Sequence, residues 1–167
     1  LIYIIIHPFI RKVVPPKSIL MHKKDEGTVL IKKPTYNKIA IALDFSEDDG
    51  KIISYAIGQG HEKSNYILLH VVESAGAIIS GAQTDDYESR KDMEQLNEYV
   101  NMLSEQGFKS GAVIGYRNRV SEIVRIVKEA DADILVIGAH GHTGLKDFIY
   151  GATVNAVRHE LKIPVLI

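Results

Sequence analysis

From Asn37 to the carboxyl end, the chain alternates short apolar runs with amphipathic stretches of helical period. Lys38-Ile39-Ala40-Ile41-Ala42-Leu43 stops at Asp44, and Ser46-Glu47-Asp48-Asp49 then caps a helix with Ile52, Ile53, Ala56 and Ile57 on one face. Gly58 and Gly60 end that helix. Tyr66 to Val72 predicts a second strand, apolar enough along its length to be buried on both faces. A flexible stretch from Ser74 to Gln83 follows. A helix over about Asp85 to Gln106 then places Met93, Leu96, Val100 and Leu103 at spacings of three and four, with Gly107 as its stop. Gly111 to Gly115 reads as a weaker third strand. A helix over about Val120 to Ala130 carries its apolar stripe on Val120, Ile123, Val124 and Val127. Asp133 to Ile137 is the fourth strand and runs into Gly138. A glycine-rich loop, a last helix over about Ala152 to Leu161 and the apolar end Ile163 to Ile167 complete the pattern.

Strands that alternate with helices of this length require crossover connections, which are right-handed and place parallel strands between two helical layers. The expected class is therefore α/β, a doubly wound parallel five-stranded sheet. In such sheets ligands bind beyond the carboxyl ends of the strands where strand order reverses. That rule singles out the strand ends at Asp44, Val71 and Gly138.

Composition narrows the function classes. The 167 residues contain no Cys, which excludes thiol catalysis, a disulfide framework and Cys-based metal sites. With 20 Lys+Arg against 21 Asp+Glu, the chain lacks the basic excess of a nucleic-acid binder. Trp is absent and aromatics are 7%, so no stacking surface is advertised.

The first 36 residues differ from the rest. Leu1 to Ile10 is apolar except for His7, and Arg11, Lys12, Lys17, Lys23 and Lys24 follow with Pro15-Pro16 among them. An apolar run leading into positive charge matches the cytoplasmic exit of a membrane span. Ten residues are too few to cross a hydrocarbon core of about 30 Å, so the span would begin upstream. Without an initial Met, residue 1 is expected to belong to a fragment or a processed chain. The competing readings are a signal-like or stray strand segment and an apolar arm packed on a partner subunit. Residues 1–36 are accordingly expected to be an apolar segment and a basic, proline-containing linker, and residues 37–167 a ligand-binding domain.

The loop Gly138-Ala139-His140-Gly141-His142-Thr143-Gly144 carries the chemistry. Glycines at a strand end let backbone amides approach an anion, and a helix amino terminus adds unpaired N–H groups and a favourable dipole. Nine residues separate Gly141 from Gly151, which is expected to open the last helix. The loop lacks both the P-loop lysine and the dinucleotide glycine fingerprint. Tight-turn geometry alone also accounts for scattered glycines.

Taken together, Gly138-x2-Gly141-x9-Gly151, the flanking Ile137 and the closing Pro164-Val-Leu-Ile resemble the nucleotide motif of universal stress proteins. Lys38 to Ser46 is similar to that family's first strand, and Leu68-Leu-His-Val71 to its second. The resemblance, to UspA-like domains, covers residues 37–167. It implies the adenine nucleotide alpha-hydrolase-like sandwich and binding of ATP or AMP, with Mg as a possible companion. By the same resemblance, Asp44 lies beside the adenosine, with the backbone of Ala42 and Leu43 on the same wall, and Val71 meets adenine through its main chain. Ile137, Gly138, His140 and Gly141 line the ribose and phosphate side, and Gly151, Ala152 and Thr153 cap the phosphates. One departure stands out: the family places Ser or Thr directly after the third glycine, where this chain has Ala152. The family further implies homodimers that pair their final strands.

Other residues have plainer readings. His140 and His142 form a His-x-His pair without a local acid to complete a metal set, so no metal site is expected. His70 is expected to be a packed, hydrogen-bonded strand residue, and Glu88 to Asp92 a solvated helix face. No Ser/His/Asp order or paired carboxylate marks a catalytic centre, and the positive charge that phosphoryl transfer requires is missing. The expected function is a cytoplasmic, adenine-nucleotide-binding regulatory domain, which the amino end would make the tail of a membrane transporter. The alternatives are a nucleotide-free dimerisation module and a weak ATP hydrolase.

Overall fold

The computed structural model describes residues 32–73, 76, 79, 81, 87–138 and 147–167, with backbone alone for 147–151. The elements belong to the unit Pro34–Ile167, which is distinct from Leu1–Lys33. In chain order they are β1 (Lys38–Ala42), α1 (Asp49–Gln59), β2 (Asn65–Val72), α2 (Tyr87–Glu105), β3 (Lys109–Tyr116), α3 (Arg119–Glu129), β4 (Ile134–Ile137), α4 (Asp147–Glu160) and β5 (Val165–Leu166). All strand pairs are parallel, in the order β3-β2-β1-β4-β5. This is the doubly wound α/β sheet the alternation predicts.

Alternation along each strand builds two cores. Ile39 and Ile41, Tyr66 and Leu68, and Ile134 and Val136 face one side, against Ile52, Ile53 and Ala56 of α1 and Leu96 and Leu103 of α2. Ala40 and Ala42, Leu69 and Val71, and Leu135 and Ile137 face the other, against α3 and α4 through Ile123, Val127, Val154 and Val157. Both faces of the central strands are covered, so these strands are apolar over most of their length, with Lys38 and Asn65 at the starts of β1 and β2 and His70 within β2 as the exceptions.

Local chemistry sets the element ends. Asn118 caps α3 by accepting from the Ser121 amide at 3.0 Å. Gly107, at φ +85°, ends α2 by a left-handed turn in which Phe108 N–H donates to Leu103 O at 2.9 Å and Gly107 N–H to Ser104 O at 3.0 Å. At the amino edge of the sheet, the Asp133 carboxylate accepts from the amides of Asn37 and Lys38 at 2.6 and 2.9 Å, tying the start of β1 to the start of β4.

Three expectations change. The third strand is longer, because its half-buried flanks from Lys109 to Tyr116 pair with β2 along their whole length. The last strand is shorter, with only Val165 and Leu166 paired to β4. The last helix begins at Asp147, so Gly151 lies inside it and does not open it. A single interior glycine costs only about 1 kcal/mol, too little to stop a helix that continues on both sides.

Candidate functional site

The strand order reverses at β1: β2 and β3 lie on one side of it, β4 and β5 on the other. Beyond the carboxyl ends of β1, β2 and β4 lies a cleft of about 200 Å³. Its floor is built from Ala42, Leu43 and Asp44 after β1, from Leu69, His70, Val71 and Glu73 along β2, and from Ile137 and Gly138 after β4. Thr153 and Val154 of α4 close one wall, and Arg119 and Ile123 of α3 another; Ile52 of α1 and Glu88 of α2 complete it.

The wall at Asp44 is held by a turn with a left-handed residue, Phe45, at φ 60°. The buried Asp49 carboxylate stabilises that turn by accepting from the amides of Phe45 at 3.0 Å and Asp44 at 3.5 Å. Asp44 in turn accepts from the Ser46 amide at 3.2 Å. The helix cap expected of this run is not made: Asp48 is the N-cap of α1 without a side-chain cap bond, and the buried hydroxyl of Ser46 makes no protein hydrogen bond. Burial, then the neighbouring Asp44 charge, pushes the Asp49 carboxyl up from 3.8 to about 6.

His70 braces the same wall. Its Nδ1 lies 2.9 Å from Leu43 O, its Nε2 lies 3.5 Å from Asp92 Oδ2, and its ring is 4.3 Å from that of Phe45. The expected hydrogen-bonded strand histidine is present, and it also lines the cleft. The expected solvated face holds at Glu88, Arg90 and Lys91, which are exposed, Glu88 at the rim of the cleft; it fails at Ser89, which is buried, and at Asp92, which is 14% exposed beside His70. On the opposite wall Arg119 forms an ion pair with Glu73.

Seven of the expected ligand residues therefore meet in one cleft: Ala42, Leu43, Asp44, Val71, Ile137, Gly138 and Thr153. Ala152 is exposed and does not line it. Gly151 lies within α4, while His140 and Gly141, with the His-x-His pair, fall outside the described residues. Among the described residues no cluster of three or more His, Asp or Glu is arranged to hold a metal ion. Sequence reasoning passed over Glu73, Glu88, Arg119 and Asp49. The available signal was positional, since crossover helices begin at the carboxyl edge of the sheet and their first turns border the cleft.

The model of the universal stress protein family matches residues 35–167. The chain belongs to the universal stress protein family. Universal stress protein MJ0577 of Methanocaldococcus jannaschii is 26% identical over 152 residues, covering 79% of this chain and 94% of its own length. The solved structure of MJ0577 superposes with a TM-score of 0.66 over 78% of this chain and 94% of the other. An Archaeoglobus fulgidus universal stress protein in complex with dAMP gives a TM-score of 0.57 at 20% identity, over 78% of this chain and 96% of the other. A universal stress protein in complex with cAMP gives 0.57 at 20% identity, over 79% and 96%. The last two likenesses carry the fold. Among the described residues no helix is long and apolar enough to cross a membrane; the apolar segment 1–10 lies outside them.

Proposed function

We propose that the domain binds an adenine nucleotide, ATP or AMP, in the cleft at the ends of β1, β2 and β4, and acts as a regulatory module with at most slow hydrolysis. The observation that carries this reading is the convergence of Asp44, Val71, Gly138 and Thr153 on one cleft at the point of strand reversal. The dAMP and cAMP complexes of two fold neighbours support it. Charge orients the ligand: Asp44 and Glu88 suit the amine and hydroxyl donors of adenosine while Glu73 is engaged by Arg119, so the phosphates belong toward Gly138 and α4. Any Mg2+ arrives on those phosphates. The hydroxyl within reach of the ligand is that of Thr153, which lines the cleft where Ala152 does not.

Calorimetric titration with AMP and ATP tests the reading. Measurable binding is expected, and Thr153→Val weakens it by about two- to tenfold, the worth of one hydrogen bond. No heat at millimolar nucleotide refutes it. Two further parts of the proposal have other carriers. Val165 and Leu166 form a half-buried strand at the sheet edge, which a second copy of the chain would pair; sedimentation as a monomer at tens of micromolar refutes that dimer. Attachment to a membrane transporter rests on the apolar-then-basic pattern of residues 1–24. Deleting residues 1–33 is expected to leave a folded domain with unchanged nucleotide affinity, and an unfolded product refutes the tether.

A further inference from the structure

Asp49 is 1% exposed, yet its carboxylate is one residue removed, through hydrogen bonds, from the ligand cleft. It accepts from the amides of Asp44 and Phe45, and its carboxyl is also within hydrogen-bonding reach of the Asp44 carboxyl. Two acids so placed, one buried and one on the cleft wall, repel each other when both are ionised. Among the described residues no cation is left to offset that charge: Arg119, on another wall of the cleft, is paired with Glu73. Tyr99 of α2 hydrogen-bonds Asp49 and Glu98 lies near Tyr99; Asp48 is paired with Lys51 at 2.7 Å; His70 with Asp92 stands across the Phe45 ring.

Water on the open side of Asp44 screens the pair in the free protein. A nucleoside seated against Asp44 displaces that water, and the two negative charges then face each other in a medium of lower dielectric. A proton taken from solvent relieves the conflict. The buried partner is the one to hold it: a protonated Asp49 donates its O–H to the Asp44 carboxylate, and its other oxygen keeps the 3.0 Å bond from Phe45 N–H. The weaker 3.5 Å bond from Asp44 N–H is the one given up.

We propose that Asp49 is a positioning residue of the cleft that shares one proton with Asp44, so that ligand binding takes up a proton and strengthens in mild acid. The inference rests on the nucleotide reading above and deepens it. The raised affinity of Asp49 for its proton in the free protein, near pH 6, places the change within an accessible range.

Adenosine is the probe, because it lacks the phosphate that would titrate in the same range. Calorimetry of the whole chain in buffers of different ionisation enthalpy, at about pH 7, is expected to show uptake of a fraction of a proton per adenosine bound. Affinity is expected to rise about three- to tenfold between about pH 8 and pH 5, up to one pKa unit of coupling. Asp49→Asn mimics the protonated acid, with an amide donor toward Asp44 and a carbonyl acceptor toward Phe45 N–H. It is expected to bind at pH 8 as tightly as the wild type does at pH 5, with a flat profile and no proton uptake. Wild-type binding that is flat with pH and takes up no proton overturns the proposal and leaves the nucleotide reading standing. A folded Asp49→Asn protein that binds more weakly than wild type at pH 8 also overturns it. No adenosine binding at any pH, in either protein, overturns both.

Discussion

Phe45 holds a left-handed backbone at φ 60° while its ring packs 4.3 Å from the ring of His70 and against the core. Those two facts predict an inverted order for its small replacements. Phe45→Ala loses the ring contact and the half-buried apolar surface, about 2 kcal/mol together. Phe45→Gly loses the same groups, but it also removes the Cβ that makes a left-handed conformation cost about 1 kcal/mol. The greater unfolded-state entropy of glycine takes back roughly 0.5–1 kcal/mol of that relief, so glycine is expected to be the more stable replacement by up to about 0.5 kcal/mol, the reverse of the usual order. Urea unfolding of the two variants at neutral pH, with unchanged m-values, reads the difference directly. If Phe45→Gly proves less stable than Phe45→Ala, the turn is not left-handed in solution and Asp49 does not clamp it as described.

The remaining predictions concern the same scaffold. Asp131 follows α3 at φ 53°, where Ala132 N–H donates to Val127 O at 3.1 Å, a position suited to glycine; Asp131→Gly is expected to raise stability by about 0.5–1 kcal/mol, since the Asp131 side chain is 92% exposed and its ion pair with Lys38 at 3.4 Å is worth little. Asp133→Ala removes the acceptor of two β1 amides and is expected to lower stability by about 2 kcal/mol in thermal unfolding. The Asp49 carboxyl is raised in the native state from 3.8 to about 6, so the folded chain binds that proton more tightly than the unfolded chain between those values. Its contribution is complete below about pH 4 and is lost as pH rises through about 6, a change on the order of 2–3 kcal/mol. Asp49→Asn is expected to flatten that segment of the stability profile and to stabilise the protein at neutral pH.

The strands and helices were legible because burial on both faces forces apolar runs, as in Tyr66 to Val72, and because Gly107 and Asn118 punctuate the helices by local chemistry. Alternation alone implied the doubly wound class and the strand ends at Asp44, Val71 and Gly138, whereas the order β3-β2-β1-β4-β5, and so the place of the reversal, did not follow from it. Other features depend on contacts between residues distant along the chain. Glu88 reads as a surface acid, and only the crossover that brings the first turn of α2 over β2 turns it toward the cleft. Asp92 reads as exposed until His70 of β2 is set beside it. Asp49 looks like one more acid in a capping run, and nothing in Ser46-Glu47-Asp48-Asp49 says which of the four is buried. The start of α4 was misplaced because Gly151 was weighted as a boundary when Asp147 to Tyr150 are already helical.

The position of β1 has a consequence for the order in which the molecule forms. Ile39 pairs with Tyr66 on one side and with Ile134 on the other. A chain emerging from a ribosome can therefore zip β1, β2 and β3 together early, through comparatively short loops. Throughout that interval the opposite edge of β1, Ile39 to Ala42, is an unpaired apolar template waiting for a strand not yet synthesised. Pairing across so long a sequence separation is slow, because the loop entropy is spent before the contact forms. The cleft, which needs Ile137 and Gly138 beside Leu43 and Asp44, is thus among the last parts of the molecule to exist, and the proposed nucleotide has no site to meet on a nascent chain before that edge is closed.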